Sequence, residues 1–289
     1  MEHIVDEQND GVRLDRFIRK KLKDSALSAI YKMMRNGDIK VNGKKKKQDY
    51  RLVLGDVILY PDTENVENCY EFMKLTDKMF EEIKKNIIFE NDDCIVVNKM
   101  AGMVMHKGSG FDYGISEMYK SYLEFPEFAF GNRLDKATGG IVIGGKNQIA
   151  MRKIAEIIRE REISKKYYLI IEGKMKEKKV LRESYLIKNG EKVSENFNGE
   201  GKKSSTLFKV IKEFGRYSLL EAELITGRTH QIRVHAAGMG NPIVGDGKYG
   251  NSTGKIMYLF AYNLKLEELK IDINIGIPEY FNKFIENNS

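Results

Sequence analysis

Phe130–Lys146 reads FGNRLDKATGGIVIGGK. A polar loop from Asn132 to Thr138 carries Asp135 and ends in Gly139-Gly140. Ile141-Val142-Ile143 follows at once and reads as a buried strand. Paired glycines admit backbone conformations closed to other residues and leave room for a ligand to approach. One carboxylate is therefore expected on a tight loop at the mouth of a sheet. Arg133 and Lys136 flank it, and neighbouring cations favour the ionised form of a carboxylate.

Three readings compete for this stretch: a surface turn, a phosphate loop and a catalytic aspartate. The Arg-Leu-Asp triplet alone decides nothing, because it occurs twice. Gly11-Val12-Arg13-Leu14-Asp15 has nearly the same form but runs on into Arg16–Leu22, an amphipathic helix with Phe17, Ile18 and Leu22 on one face. Gly140–Lys146 fits G-x-x-x-x-G-K, yet Asn147 stands where Ser or Thr would hold magnesium, and the interior is strand-like. The catalytic reading gains weight only from the rest of the chain.

The 289 residues suggest a large domain plus a small one. No apolar run is long enough to cross a bilayer, and the acidic, polar start MEHIVDEQND is unlike a signal peptide. Cys69 and Cys94 have no metal-ligand spacing and suggest no disulfide framework, so no metal or cofactor is expected and a reducing cytoplasm is the simplest setting. The net charge of +7 suggests a polyanionic partner, though only weakly. Nothing argues for a symmetric interface, and a monomer is the default.

Residues 1–62 read as a small module. A first helix starts near Asp15, and its polar face carries Arg16, Arg19, Lys20 and Lys23. Ser25 or Ser28 caps a second helix that turns Ile30, Met33 and Met34 inward and ends at Gly37. A short strand Ile39–Val41, the hairpin turn Asn42-Gly43, the lysines Lys44–Lys47 and a closing segment Val53–Leu59 follow. Residues 63–86 read as a linker with a lead-in helix, and 87–289 as the second domain. There Ile87–Glu90 and Cys94–Lys99 read as strands, and Ala101–His106 leads to a Gly-Ser-Gly loop with His106 at the edge of a groove. Helices are expected from Ile115 and over Ala150–Ile163, then a strand Lys166–Glu172 that points Tyr167 and Tyr168 to opposite faces. Lys174–Lys203 reads as a hairpin excursion, and Ser205–Ile211 and Tyr217–Leu224 as paired strands. Thr226–Ala236 packs Arg228, His230, Gln231 and Arg233 into a turn and helix. Such donors suit a carboxylate and a phosphate backbone, and would be costly to bury without partners. A glycine-rich loop Gly240–Gly250, a strand-like run Met257–Leu264 and a tail Ile271–Phe284 close the chain.

Arg13-Leu14-Asp15, Gly37-Asp38-Ile39, Val41-Asn42-Gly43 and Gly55-Asp56-Val57-Ile58 make the first module resemble the small RNA-binding domain named after ribosomal protein S four. That resemblance implies RNA contacts from the second helix, through Lys32 and Arg35, and from Lys44, Lys45, Lys46 and Lys47. Lysines of this kind neutralise phosphates without reading bases.

Four blocks of the second domain are similar to the RluA-type pseudouridine synthases, which isomerise uridine in ribosomal or transfer RNA. They are Ile95–Lys99 with Ala101-Gly102 and His106; Arg133-Leu134-Asp135 with Thr138 and Gly140; Lys165 and Tyr167 with Gly173; and Thr226–His235 with Gly240, Pro242, Gly245-Asp246 and Tyr249-Gly250. The chain departs from the pattern at Met100, Asn132, Gly139 and Phe260, where Pro, His, Ser and His are usual. None of these removes a group the chemistry requires. The resemblance implies an α+β fold: the small helix-helix-hairpin module, then a mixed, largely antiparallel sheet with a central catalytic cleft. It implies Asp135 as the essential carboxylate, Arg233 as its ion-pair partner and Tyr167 as the ring that stacks on a flipped uracil. Arg133, Arg228, His230 and Gln231 are expected to contact RNA or order the loop. Large-subunit ribosomal RNA is the expected substrate. A transfer RNA substrate, or a non-catalytic RNA-binding or ribosome-assembly protein, is the alternative.

Overall fold

The computed structural model describes residues 1–22, 25, 27–62, 71–108, 110–250 and 256–289, with only the backbone of Ser28. Lys23, Cys69, the serine of the Gly-Ser-Gly loop and the Ser28 cap lie outside the described residues. The chain divides into two units, Met1–Glu71 and Phe72–Ser289.

In the smaller unit, β1 (Glu2–Ile4), β3 (Val57–Leu59) and β2 (Lys40–Val41) form an antiparallel sheet in that order. It is accompanied by α1 (Leu14–Lys21) and α2 (Leu27–Asn36). Leu14, Phe17, Ile18 and Leu22 are buried with Ile30, Met33 and Met34, so the 3.6-residue period expected of both helices holds. α2 stops at Gly37, whose φ is +89° and whose N–H returns to the Met33 carbonyl. Asn42 and Gly43 have φ of 51° and 74°, the left-handed pair that a two-residue hairpin requires. Asp56 then ties the module together. It accepts from Asn42 Nδ2 at 2.7 Å, Tyr50 Oη at 3.0 Å and the Val53 N–H at 2.9 Å. The first Arg-Leu-Asp copy is spent locally: Arg13 grips Asp15 with two nitrogens, at 3.1 and 2.6 Å.

The larger unit is built on a ten-stranded sheet. Its strands are β4 (Ile87–Glu90), β5 (Cys94–Lys99), β6 (Gly139–Gly145), β7 (Ile163–Glu172), β8 (Lys179–Asn189), β9 (Lys192–Asn196), β10 (Lys202–Phe214), β11 (Tyr217–Leu224), β12 (Leu259–Leu266) and β13 (Ile271–Asn274). The order is β4-β5-β6-β12-β7-β11-β10-β8-β9, with β13 also on β12. Every pairing among the described residues is antiparallel except β6 with β12, which agrees with the mixed, largely antiparallel sheet that the family resemblance implied. Helices α3 (Asp77–Asn86), α4 (Ile115–Tyr122), α5 (Gln148–Glu160), α6 (Gln231–Gly238) and α7 (Glu279–Asn287) complete it.

Alternation along β5 and β6 sends Val96, Ile141 and Ile143 to one face, against Ile154 and Ile157 of α5. Ile95, Val97 and Val142 go to the other, with Ile83 of α3 and Met118 of α4. β7 splits in the same way. Tyr167 joins the second face, while Tyr168 stacks on Tyr262 at 3.7 Å.

Some sequence expectations hold in outline while their boundaries or partners shift. The expected linker 63–86 contains α3 at its end, and Ile83 is buried in the core of the larger unit, where its packing makes 77–86 part of that unit. α5 is shorter than Ala150–Ile163, because Arg161 turns left-handed (φ 65°) and releases Ile163 to open β7. The Lys174–Lys203 excursion is the β8–β9 hairpin, and β8 extends the sheet beside β10. Gly140–Lys146 is no phosphate loop. All of β6 is buried mid-sheet, Lys146 bonds Glu90 at 2.7 Å, and Asn147 caps α5.

Gly140 is needed where the loop enters β6. Its φ is +119°, and a Cβ there would stand 2.1 Å from the Ala261 carbonyl oxygen on β12. Gly140→Ala is expected to cost about 2–5 kcal/mol from strain and overpacking together. Urea unfolding reads it directly, and a variant as stable as wild type would contradict this account of the loop.

Candidate active site

Asp135 leaves β6 by a loop held at three points. Thr138 N–H bonds the Asp135 carbonyl at 3.0 Å. Asn132 is buried and clamps the loop to β6, donating to the Ile141 carbonyl and accepting the Ile143 N–H. That use explains why a side-chain amide serves where the motif usually has His. The Lys136 carbonyl accepts the Gly102 N–H at 2.7 Å and the Lys99 ammonium at 3.3 Å. Lys99 is fully buried and also bonds the carbonyls of Met100 and Met103, at 3.1 and 2.8 Å. Burial pushes its amine down to about 8, against the opposing pull of the Asp135 charge.

The flanking cations do not do what the sequence suggested. Among the described residues neither Arg133 nor Lys136 forms an ion pair with Asp135. Arg133 is exposed on the cleft wall, and Lys136 lies over the Phe111 ring. The partner comes from far along the chain: Arg233 Nη1 meets Asp135 Oδ2 at 2.9 Å. His230 Nε2 stands 3.6 Å from the same oxygen. Both nitrogens therefore face Oδ2, and of the two only Arg233 is within hydrogen-bond distance. Among the described residues Oδ1 has no bond, and Asp135 lines a cleft of about 1270 Å³.

Arg233 is itself held by Asp246 through two bonds, Nε to Oδ2 and Nη2 to Oδ1, each 2.8 Å. Asp246 is 1% exposed and also accepts the N–H groups of Lys248 and Tyr249. Burial alone would raise its carboxyl, but the Arg233 bonds and charge outweigh it and hold the group below the usual carboxylate range. Burial would likewise lower Arg233, and its bonds to Asp246 and then to Asp135 raise it instead.

α6 aims Arg233 by anchoring the residues on either side of it. Gln231 and His235 share a helix face, and Arg233 projects away from it. Gln231 Nε2 donates to the Ser205 carbonyl and Thr206 Oγ1, and its Oε1 accepts from Thr226 Oγ1 and the Arg228 N–H. His235 Nε2 meets the hydroxyls of Ser184 and Ser204, and its Nδ1 meets Thr206 Oγ1. Of the two roles expected for Gln231, RNA contact or loop ordering, these bonds match the second: the side chain is buried and bonded to β10 and its own loop.

His230 opens α6 at φ 55° and bonds Tyr249 Oη through Nδ1 at 2.8 Å. Burial pushes its imidazole down, which favours the neutral ring beside Asp135. Arg228 is half-buried in the cleft wall, and its Nε bonds the Lys203 carbonyl. His106 lies at the cleft edge, as expected of it. Tyr167 is 6% exposed, and its register neighbours on β11 and β12 are Ala222 and Ala261, small enough to leave its ring beside the cleft. Burial and the Asp135 charge push its phenol up, so it stays protonated at neutral pH. In the smaller unit Lys32, Arg35, Lys44, Lys45 and Lys47 are exposed, with Lys45 Nζ bonding the Arg35 carbonyl. Lys46 is half-buried over the Tyr50 ring.

Reading by residue type missed Asp246, Lys99 and Tyr249 as working parts. One signal for Asp246 was present. It is the only acidic residue between Glu223 and Glu267, in a stretch that carries Arg228, Arg233 and Lys248. Lys99 stood in the Ile95–Lys99 block with no role attached, because its role depends on three carbonyls brought together by the fold.

A carboxylate paired with arginine, beside a buried tyrosine in an open cleft, suits isomerisation of a nucleoside and needs no redox centre. The chain belongs to the RNA pseudouridylate synthase family, whose model matches residues 93–238, and residues 12–58 match the S4 domain. It is 34% identical to ribosomal large subunit pseudouridine synthase C of Vibrio parahaemolyticus, over 91% of this chain and 87% of that protein. It is also 34% identical to the protein of the same name from Escherichia coli K12, over 83% and 77%. Among solved structures, human RNA pseudouridylate synthase domain containing 1 matches with a TM-score of 0.58 at 25% identity, over 68% of this chain and 84% of that one. The chain is thus an RNA pseudouridine synthase with an N-terminal S4 domain. No helix among the described residues is long and apolar enough to cross a membrane.

His235 gives this site a pH signature. Burial pushes its imidazole down to about 4, so the folded protein keeps it neutral while the unfolded chain binds a proton near pH 6.5. The stabilisation is complete above pH 6.5 and is lost as pH falls from there to about 4, by roughly 3 kcal/mol at most. Denaturant melts across that window should show wild type losing more stability than His235→Gln. Parallel curves would place the pH dependence elsewhere.

Proposed function

We propose that this enzyme converts specific uridines of large-subunit ribosomal RNA to pseudouridine in the cytoplasm, with Asp135 as the catalytic carboxylate. The observation that carries the residue assignment is the asymmetry of Asp135: Arg233 takes Oδ2, while the carboxylate lines the cleft with Oδ1 unbonded among the described residues. The substrate reading draws on the names of the bacterial relatives. The exposed Lys32, Arg35, Lys44, Lys45 and Lys47 of the S4 domain suit an RNA backbone, with the half-buried Lys46 beside them.

The reaction breaks the bond from ribose C1′ to uracil N1, turns the base and joins C1′ to C5, with the C5 proton lost and one returned to N1. It is redox-neutral. The target uridine has to leave its stack to enter the cleft. Asp135 acts through Oδ1, either attacking C1′ or removing a ribose proton. Arg233 keeps the carboxylate charged and oriented, because a charge-assisted hydrogen bond favours the ionised form. Tyr167 offers a ring for the detached base to stack on. A phenol held protonated can move the C5 proton only by passing on its own, so stacking is its first role and proton relay its second. The exposed Arg133 and the half-buried Arg228, both on the cleft wall, contact the strand.

The test is a pseudouridine map of total RNA from two strains, one with wild type and one whose only copy is Asp135→Asn. Loss at a few large-subunit sites is expected. Loss confined to transfer RNA would overturn the substrate, and an unchanged map would overturn the role of Asp135. Tyr167→Phe should bind RNA normally and turn over at least about tenfold slower if its hydroxyl relays the proton. A wild-type rate would leave it a stacking platform only.

A further inference from the structure

Lys165 is a cation without a partner among the described residues. It lies on β7 two residues before Tyr167, so both side chains leave the same face of the strand, about 7 Å apart along it. Both line the cleft. The ammonium sits beside the loop that leads into α6: a Cβ at Gly227 would come within 3.3 Å of Nζ. Among the described residues Nζ makes neither a hydrogen bond nor an ion pair, although the side chain is no more than half-exposed. Burial pushes its amine down, and no nearby carboxylate offsets that push.

Each of the other buried or half-buried cations of the site has its partners. Arg233 has two carboxylates, and Lys99 has three carbonyls. A cation withdrawn from water without a partner destabilises the fold that holds it. Three ammonium hydrogens facing a substrate cleft can be satisfied when an anion enters that cleft. The substrate brings one anion per nucleotide.

We infer that Lys165 binds a backbone phosphate next to the flipped uridine, holding the strand one pleat from the ring of Tyr167. The inference rests on the RNA-isomerase reading above and adds to it a phosphate subsite inside the catalytic cleft. Gly227 keeps that subsite open, since a side chain there would meet the ammonium. Lys165 is here a substrate-positioning residue that takes no part in bond breaking. Its charge is therefore required, while its geometry is not: arginine serves in its place and glutamine does not.

The test compares wild type, Lys165→Arg and Lys165→Gln in two assays. The first is release of tritium from unmodified large-subunit ribosomal RNA transcript labelled at uracil C5, across a range of potassium chloride. For Lys165→Gln, KM should rise about tenfold, as expected for a lost charge-assisted hydrogen bond, with kcat within about threefold of wild type. The dependence of log KM on log salt should flatten by about 0.7, the share of one phosphate contact on a single strand. Lys165→Arg should keep the wild-type salt slope. The second assay is thermal unfolding of the free proteins. Removing an unsatisfied cation should raise the melting temperature of Lys165→Gln by roughly 2–4 °C. A side chain that served only packing would lower it.

Unchanged KM and salt slope would overturn the inference, as would a loss confined to kcat. The salt slope can also be read from binding of oligouridine. If wild type releases no tritium from the transcript, the ribosomal-RNA reading fails. The Lys165 assignment is then still decided by whether Lys165→Gln flattens the oligouridine slope.

Discussion

The site depends on the guanidinium of Arg233, shared between Asp246 and Asp135. A buried arginine with one carboxylate would form a closed pair. With two, it passes a fixed charge from the protein interior to the cleft. Asp246 takes the bidentate share and is almost fully enclosed, so it sets where the guanidinium lies. Asp135 takes the remaining nitrogen through one oxygen only. Burying charges is costly unless each is paired and hydrogen-bonded, and among the described residues this network meets that condition at every nitrogen and oxygen except Asp135 Oδ1, on the cleft side. The free oxygen of Asp135 is thus a product of how the interior is satisfied.

Much of the surrounding fold keeps those three side chains in register. α6 is pinned by Gln231, bonded to β10, and by His235, bonded to β10 and to the Ser184 hydroxyl of β8, on the face away from Arg233. The Asp135 loop is pinned from the other side by Asn132 on β6 and by Lys99 beneath Lys136. Arg233 and Asp135 are therefore brought together by two separately anchored elements. The parallel contact between β6 and β12, with no side chain at Gly140, lets the loop enter the sheet at that point.

The two Arg-Leu-Asp copies show how little a triplet says by itself. In the smaller unit Arg13 closes on Asp15 two residues away, and the pair serves the start of a helix. In the larger unit Arg133 leaves Asp135 alone, because the loop is held by Asn132 and Lys99 in a shape that turns the arginine outward, and Arg233 takes its place. The local residues are the same and the chemistry differs. What separates them is the Thr-Gly-Gly turn and the strand behind it, both visible in the chain, and an arginine 98 residues away, which is not visible locally.

Local pattern determined a good deal of this protein. Apart from Asp135, Tyr167 and Arg233, whose roles only the family resemblance supplied, period-2 alternation assigned Tyr167 and Tyr168 to opposite faces, Asn42-Gly43 announced the hairpin, and Gly37 ended α2. These are short-range effects, decided by φ preferences and by which side chains share a face. Tertiary structure alone decided the partners. It buried Gln231 as an anchor, set Asp246 behind Arg233, gathered three carbonyls around Lys99, drew 77–86 into the larger core and, among the described residues, left Lys165 without a counter-charge. The reason is physical: satisfying a buried polar group depends on which atoms lie within about 3 Å, and for these residues those atoms come from segments far apart in the chain.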